Sequence, residues 1–221
     1  MIKPLTSLRF FFAFMVFVSH LWFIKDDGVV ATQLYDHVFS EGYIGVSFFF
    51  ILSGFILSYN YKDKILEHHI SKKSFWLARF ARIYPLHFVT LLLAIPLSFR
   101  HDMLEWTERF VLNLFLLQSF VPSQDVYFYF NSVSWSISDE MFFYLIFPLL
   151  IVAYYRPKVF NYWLPLLLIL TIPIGLYFMK SAYHHKYFYI NPVLRLADFT
   201  IGVVLYHVYE LRKKIDFKTT A

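Results

Sequence analysis

The 221-residue sequence has no cysteine, only six glycines, and few charges: Asp, Glu, Lys and Arg together make 16%. The missing cysteine excludes disulfides and thiolate-ligated metal, and leaves no redox clue to compartment. Scarce charge excludes a highly solvated or disordered chain. What replaces it is apolar: 59% of residues are hydrophobic, with 28 Phe and 17 Tyr. A soluble domain sits nearer 45–50% apolar. The net charge of +5 is spread in short clusters between apolar blocks. That pattern reads as membrane topology and not as nucleic-acid binding. A Lys followed by an apolar run opens the chain, but no small-residue cleavage site follows, so an uncleaved first span is expected.

A membrane-crossing helix needs roughly 17–25 mostly apolar residues. Six segments meet that length: Ser7–Ile24, Gly42–Tyr61, Ile83–Phe99, Ile137–Tyr155, Val159–Met179 and Val193–Tyr209. A seventh, Phe110–Pro122, is shorter and suits a re-entrant or interfacial helix. Charge tests that assignment. If the seventh segment does not cross and the N-terminus is cytoplasmic, 13 basic residues lie inside and five outside. The inside set comprises Lys3, the cluster from Lys62 to Arg82, Arg156, Lys158 and the tail from Arg212 to Lys218; the outside set includes Lys25, Arg100 and Arg109. If the segment crosses, the bias vanishes. The expected fold is therefore all-α: a polytopic bundle of about six spans, both termini cytoplasmic, with one short helix outside. A reporter fused after Asp125 should read as extracytoplasmic. The aromatic and basic run Ser74–Arg82 suits an interfacial helix before the third span.

Several polar groups interrupt the apolar blocks. Arg9 and His20 are 11 residues apart, three turns plus about 20°, so a continuous helix puts them on one face about 16 Å apart. Ionisable groups within a membrane are costly and tend to face a bundle interior or wet cavity. A histidine suits general-base work on a hydroxyl, and an arginine suits phosphate or carboxylate recognition. Snorkelling and interfacial anchoring explain the two residues equally well. Ser47, Gly54 and Ser58 share a face of the second span, as close helix packing requires, with channel lining as the other reading. Arg79 and Arg82, three apart, can clamp a phosphate or meet anionic headgroups. In Ser134-Trp-Ser-Ile-Ser-Asp-Glu140, Ser136 or Ser138 can cap a helix whose first turn holds Asp139 and Glu140. Alternatively Glu140 orients His20, and Trp135 stacks on a sugar or joins the aromatic belt. Arg195 faces Asp198 three residues on, as an ion pair would. His68, His69, His184 and His185 fall in loops and are expected to be solvated, and His207 lies near a helix end. No histidine pair has zinc spacing, and no metal site is expected.

Together these motifs resemble the membrane-bound acyltransferase 3 family. The likeness rests on Arg9 through His20, Gly45-Val-Ser-Phe-Phe-Phe-Ile-Leu-Ser-Gly54, Arg79-Phe-Ala-Arg82-Ile-Tyr-Pro85, Trp135-Ser-Ile-Ser-Asp-Glu140 with Phe143, Tyr144 and Pro148, and Arg195 with Phe199 and Gly202. They occur in the family's order along nearly the whole chain. The resemblance implies an integral membrane enzyme, in a bacterial plasma membrane, that moves an acyl group, usually acetyl, from acyl-CoA to a hydroxyl of a surface or exported carbohydrate. Acyl-CoA is then a substrate and no cofactor stays bound. It implies His20 as catalytic base with Glu140, Arg9, Arg79 and Arg82 as donor contacts, and Ser134, Trp135, Ser136 and Arg195 as further substrate contacts. Family members usually carry more spans than six, so residues 1–221 are expected to be the N-terminal part of such a domain, with Arg195 and Asp198 left without partners. A transporter or glycan-export component, or a non-catalytic remnant, are the rival readings.

Overall fold

The computed structural model describes residues 3–98, 102–155 and 160–219. Arg100, Arg156 and Lys158 of the charge count, and Val159 at the expected start of the fifth span, lie outside the described residues. There is no strand among the described residues. Seven helices of twelve residues or more carry the fold: α1 (Lys3–Ser19), α2 (Ile44–Leu66), α3 (Lys72–Ser98), α4 (Met103–Leu114), α5 (Trp135–Tyr155), α6 (Phe160–Phe178) and α7 (Pro192–Thr219). Short helical turns fill the connections. Three stretches, Val29–Leu66, Lys72–Ser98 and Trp135–Tyr155, are long and apolar enough to cross a membrane. Leu86, Leu93 and Leu97 project from α3 more than 65% exposed, which an apolar solvent tolerates and water does not. This is an all-α membrane helical protein.

Boundaries shift from the sequence expectation in physically readable ways. The Ser74–Arg82 run is not a separate interfacial helix. It forms the first turns of α3, which runs on through Pro85 and Pro96. The last helix also continues past Tyr209, so His207 lies inside α7, its ring 5.5 Å from those of Tyr154 and Tyr155. The first helix ends earlier than expected, at Ser19, and His20 follows in a turn.

Side-chain contacts fix which helix ends lie together. At one end, Tyr35 Oη donates to Ser19 O (2.6 Å), Tyr129 Oη to Ser98 O (2.9 Å) and Tyr189 Oη to Tyr43 O (3.4 Å). The end of α1, the start of α2, the end of α3 and the starts of α5 and α7 therefore meet there; we call it the Trp135 end. At the other end, Lys62 of α2 bonds Glu210 of α7 at 2.5 Å, and Phe75 of α3 stacks on Phe147 of α5.

This geometry also answers whether the seventh segment crosses. Helix α3 ends, and α5 starts, at the Trp135 end, so the chain between them returns to the side it left. Within it, α4 folds back along α3. Tyr84 Oη donates to Leu114 O (3.0 Å), and His87 Nε2 donates to Asn113 O (2.8 Å). The chain then turns at Leu116 (φ 56°) towards α5, where Ser119 and Ser138 hydroxyls meet at 2.6 Å and Ser138 donates to Leu116 O. The helix begins at Met103 and stops at Leu114, earlier than the Phe110–Pro122 estimate, because Gln118–Phe120 closes a tighter turn. Its polar groups Asn113, Gln118 and Ser119 are buried and bonded, as a polar segment inside a bundle must be.

Helices α2 and α7 form the tightest seam. A Cβ on Gly54 would sit 2.0 Å from Phe199 O, and one on Gly202 1.9 Å from Ile51 O. Only glycine lets the backbones approach so closely. Ser47, Gly54 and Ser58 do lie along this seam, with Ser47 accepting from Arg195. Gly54 serves packing there, and Ser47 also lines a cavity.

Candidate active site

Two cavities flank α1. The first, about 440 Å³, lies in the cleft between α1, α2, α3 and α5. It gathers Arg9 from α1, Ser53 from α2, Arg82 from α3, and Ser136, Glu140 and Tyr144 from α5, over apolar walls that include Phe49 and Leu52. Residues 49, 52, 53 and 56 of α2 all face it, as a helix repeat of 3.6 dictates. Glu140 Oε1 accepts hydrogen bonds from Tyr144 Oη and from Ser53 Oγ (3.5 Å). Neither Arg9 nor Arg82 has a hydrogen bond or ion pair among the described residues. Two guanidinium groups face one carboxylate here, so the cavity carries a net positive charge. Such a site suits a phosphate-bearing group.

The second cavity, about 320 Å³, lies at the Trp135 end. His20, Ser40, Ser132, Tyr43 and Trp135 line it. Val16 and Val46 line both cavities and form the shared wall. His20 Nδ1 lies 2.7 Å from Val16 O. A carbonyl only accepts, so Nδ1 carries the proton and Nε2 keeps its lone pair. A backbone carbonyl thus fixes the tautomer that can take a proton from a hydroxyl.

The predicted residues divide between these surroundings. Arg9, Arg82, Ser136 and Glu140 come together in the first cavity; His20 and Trp135 come together in the second. Arg9 and His20 are not on one continuous helix face, because α1 stops at Ser19. They communicate through Val16. Glu140 does not meet His20. It is the sixth residue of α5, too deep to reach the Trp135 end, and Ser53 and Tyr144 hold it in the cationic cavity. Arg79 is drawn off by Tyr61: Nη2 donates to Tyr61 Oη at 2.9 Å, with the guanidinium over that ring. Ser134 is buried and accepts from Gln118 Nε2 (3.3 Å), a structural tie to the folded-back segment.

Capping of α5 also differs from expectation. The helix starts at Trp135, so Ser136 and Ser138 lie inside it and donate to Val133 O and Leu116 O. Asp139 falls past the first turn and is fully buried.

Arg195 is buried, but not unpartnered. Nη1 contacts Asp198 Oδ2 (2.8 Å) and donates to Ser47 Oγ (3.0 Å), and the guanidinium lies over the Phe50 and Tyr189 rings. It borders a third cavity of about 600 Å³. The expected ion pair is present. His184 and His185 also line this cavity and are not simply solvated: His184 Nε2 donates to Met179 O, and His185 packs on Tyr127 and Tyr189. Desolvation lowers the His185 pKa below the ordinary histidine value.

Sequence reasoning missed Ser53, Tyr43, Ser40 and Ser132 as lining residues. For Ser53 a signal existed: it follows Phe49 and Leu52 at helix spacing. The other three come from connections, where periodicity gives no guide.

The acyltransferase-domain family model matches residues 3–219. Among curated relatives, the acyltransferase MdmB of Streptomyces mycarofaciens is 41% identical over 157 residues, covering 67% of this chain and 38% of its own. The O-acetyltransferase OatA of Staphylococcus aureus (strain NCTC 8325 / PS 47) is 27% identical over 214 residues, covering 86% of this chain and 34% of its own. The chain therefore spans between a third and two-fifths of the length of these relatives. No solved structure matches. With a family match across almost its whole length, the chain belongs to the membrane-bound acyltransferase 3 family.

Proposed function

We propose that this chain transfers an acyl group, acetyl in the simplest case, from acyl-CoA to a hydroxyl of a carbohydrate at the membrane surface. The observation that carries the reading is the shared Val16–Val46 wall, which joins a cationic cavity to one holding a histidine with a free Nε2. Arg9 and Arg82 bind donor phosphates. Glu140, held by Ser53 and Tyr144, is the carboxylate that shares the cavity with the two arginines. The acceptor hydroxyl lies at His20, with Trp135 as a flat apolar wall. His20 Nε2 removes the hydroxyl proton as the oxygen attacks the thioester carbonyl. The C–S bond breaks, and the thiolate leaves and takes up a proton. Acid-base help of this kind contributes about 10²–10⁴-fold to rate.

Charge distribution supports the orientation. With the Lys62 end cytoplasmic, the basic bias lies inside, both termini are cytoplasmic, and the His20 cavity faces outward in a bacterial plasma membrane. Arg195 and Ser134 contribute on the outer side, the first as an acceptor contact and the second by fixing the start of α5.

The test is incubation of labelled acetyl-CoA with membranes carrying the chain and a carbohydrate acceptor. Label in an alkali-labile ester on the acceptor is the expected result. Uptake or export of the carbohydrate with no ester formed would overturn the reading.

A further inference from the structure

The third cavity is not used by the chemistry at His20, yet it is built as a binding site. Its floor is Arg195, 5% exposed, whose Nη1 serves Asp198 and Ser47 while Nε and Nη2 have no partner. Both of these groups are occluded from the cavity as well as unpartnered among the described residues, so Arg195 serves the wall by holding the Tyr189 ring. The walls are aromatic: Tyr43, Phe188 and Tyr189. Tyr43 and Tyr189 also line the His20 cavity, and Tyr189 lies 4.9 Å from the Trp135 ring. The two outer cavities are therefore neighbours across a pair of tyrosines whose rings meet edge-on at 5.8 Å.

Charge decides what kind of ligand fits. The guanidinium is already neutralised by Asp198. At the rim, desolvation lowers the His185 pKa. His184 donates through Nε2 to Met179 O, which leaves Nδ1 as an acceptor. The Arg195 charge is compensated by Asp198 and gives little hold on a phosphate or carboxylate. The site offers aromatic ring faces with polar imidazole edges at its rim. Neutral hydroxyl or amide oxygens on a ring with apolar faces match that set.

We infer that the Arg195 cavity is a second acceptor subsite, holding a neutral glycosyl unit that neighbours the unit acylated at His20. The inference rests on the proposed reading that the acceptor is a carbohydrate. It makes the protein a reader of chain length: an acceptor of two linked units fills both cavities, and a single unit fills one.

The experiment measures equilibrium binding of N-acetylglucosamine, of its β-1,4-linked dimer and of a galacturonic acid dimer to the full chain in detergent. The neutral dimer should bind about tenfold tighter than the monomer, the gain expected from packing a second ring on the aromatic wall, and tighter than the charged dimer. Arg195→Gln should bring the dimer-to-monomer ratio to about one. Because that change also breaks the Asp198 contact, Leu176→Trp provides the second variant: this residue lines the cavity but is 41% exposed, so a larger side chain fills the space without entering the core. It too should abolish the ratio. A ratio near one in the unaltered chain, a ratio unchanged by Leu176→Trp, or tighter binding of the charged dimer would each overturn the subsite. Labelled acetyl transfer on the same preparations separates the two readings. A dimer gain in binding with no transfer leaves the subsite standing and removes the acyl-transfer reading. Transfer to the monomer with no dimer gain removes the subsite alone.

Discussion

Arg9 and Arg195 are both arginines in apolar helices, and the molecule treats them oppositely. Arg195 belongs to α7, which lies against α2 so closely that backbone carbonyls sit where a Cβ would be. There Nη1 is bonded to Asp198 and Ser47, and two rings cover the guanidinium. Arg9 belongs to α1, whose Phe10, Phe11, Phe14 and Phe17 project outward at least half exposed. It faces a cavity and has no hydrogen bond or ion pair among the described residues. The contrast recurs within one motif, where Arg79 is taken up by Tyr61 and Arg82 is left facing Glu140. A membrane arginine with protein partners has much of its desolvation cost offset and is fixed in place even where it borders a cavity; one with no hydrogen bond or ion pair among the described residues is held for something that arrives.

The largest effect should come from the seam. Gly54→Val places methyl groups against Phe199 O, an overpacking that costs about 3 kcal/mol or more. No monodisperse folded protein should elute in detergent, whereas Phe14→Ala on the outward face of α1 should elute like the parent. Folded, monodisperse Gly54→Val would dissolve the difference between seam and periphery.

Next come the arginines. Arg9→Gln or Arg82→Gln should each raise the KM for acetyl-CoA by about 10–100-fold, the worth of a charge-assisted phosphate contact. Arg79→Gln should leave that KM within about twofold and instead lower thermal stability by about 1 kcal/mol through loss of the Tyr61 bond. Steady-state kinetics beside a melting curve reads both, and equal KM effects at all three positions would erase the distinction.

A smaller change tests the wall between the cavities. Val46→Phe narrows the shared wall and should lower kcat about tenfold with acetyl-CoA binding unchanged. Unaltered kcat would mean that the donor reaches His20 by another route. Smallest of all, Tyr144→Phe removes one of two hydrogen bonds to Glu140 and should cost a few-fold in kcat/KM. No change would mean that Ser53 alone holds the carboxylate.

Much of this was legible in the sequence, because apolar period and cation placement report directly on the solvent around each helix. Three of the six expected spans, the presence of a short helix between the third and fourth, and the Arg195–Asp198 pair all follow from residue type and spacing. What was not legible depends on where a helix stops and how deep its neighbour sits. Arg9 and His20 are eleven residues apart whether or not α1 ends at Ser19, so spacing could not separate them into two cavities. Glu140 looked able to reach His20 because α5 begins at the same end, but depth along α5 places it beside Tyr144 and Ser53 instead. Contacts supplied by connections, such as Ser40 and Ser132, have no period to betray them.

The central claim is that the two cavities divide the work, with donor held at Arg9 and Arg82 and the proton taken at His20. The most direct test is His20→Ala assayed twice in the same membranes, for acetyl-CoA binding and for transfer of labelled acetyl to acceptor. The account predicts binding within about twofold of the parent and transfer reduced by about 10²–10⁴-fold. Transfer at the parent rate in that variant would contradict it.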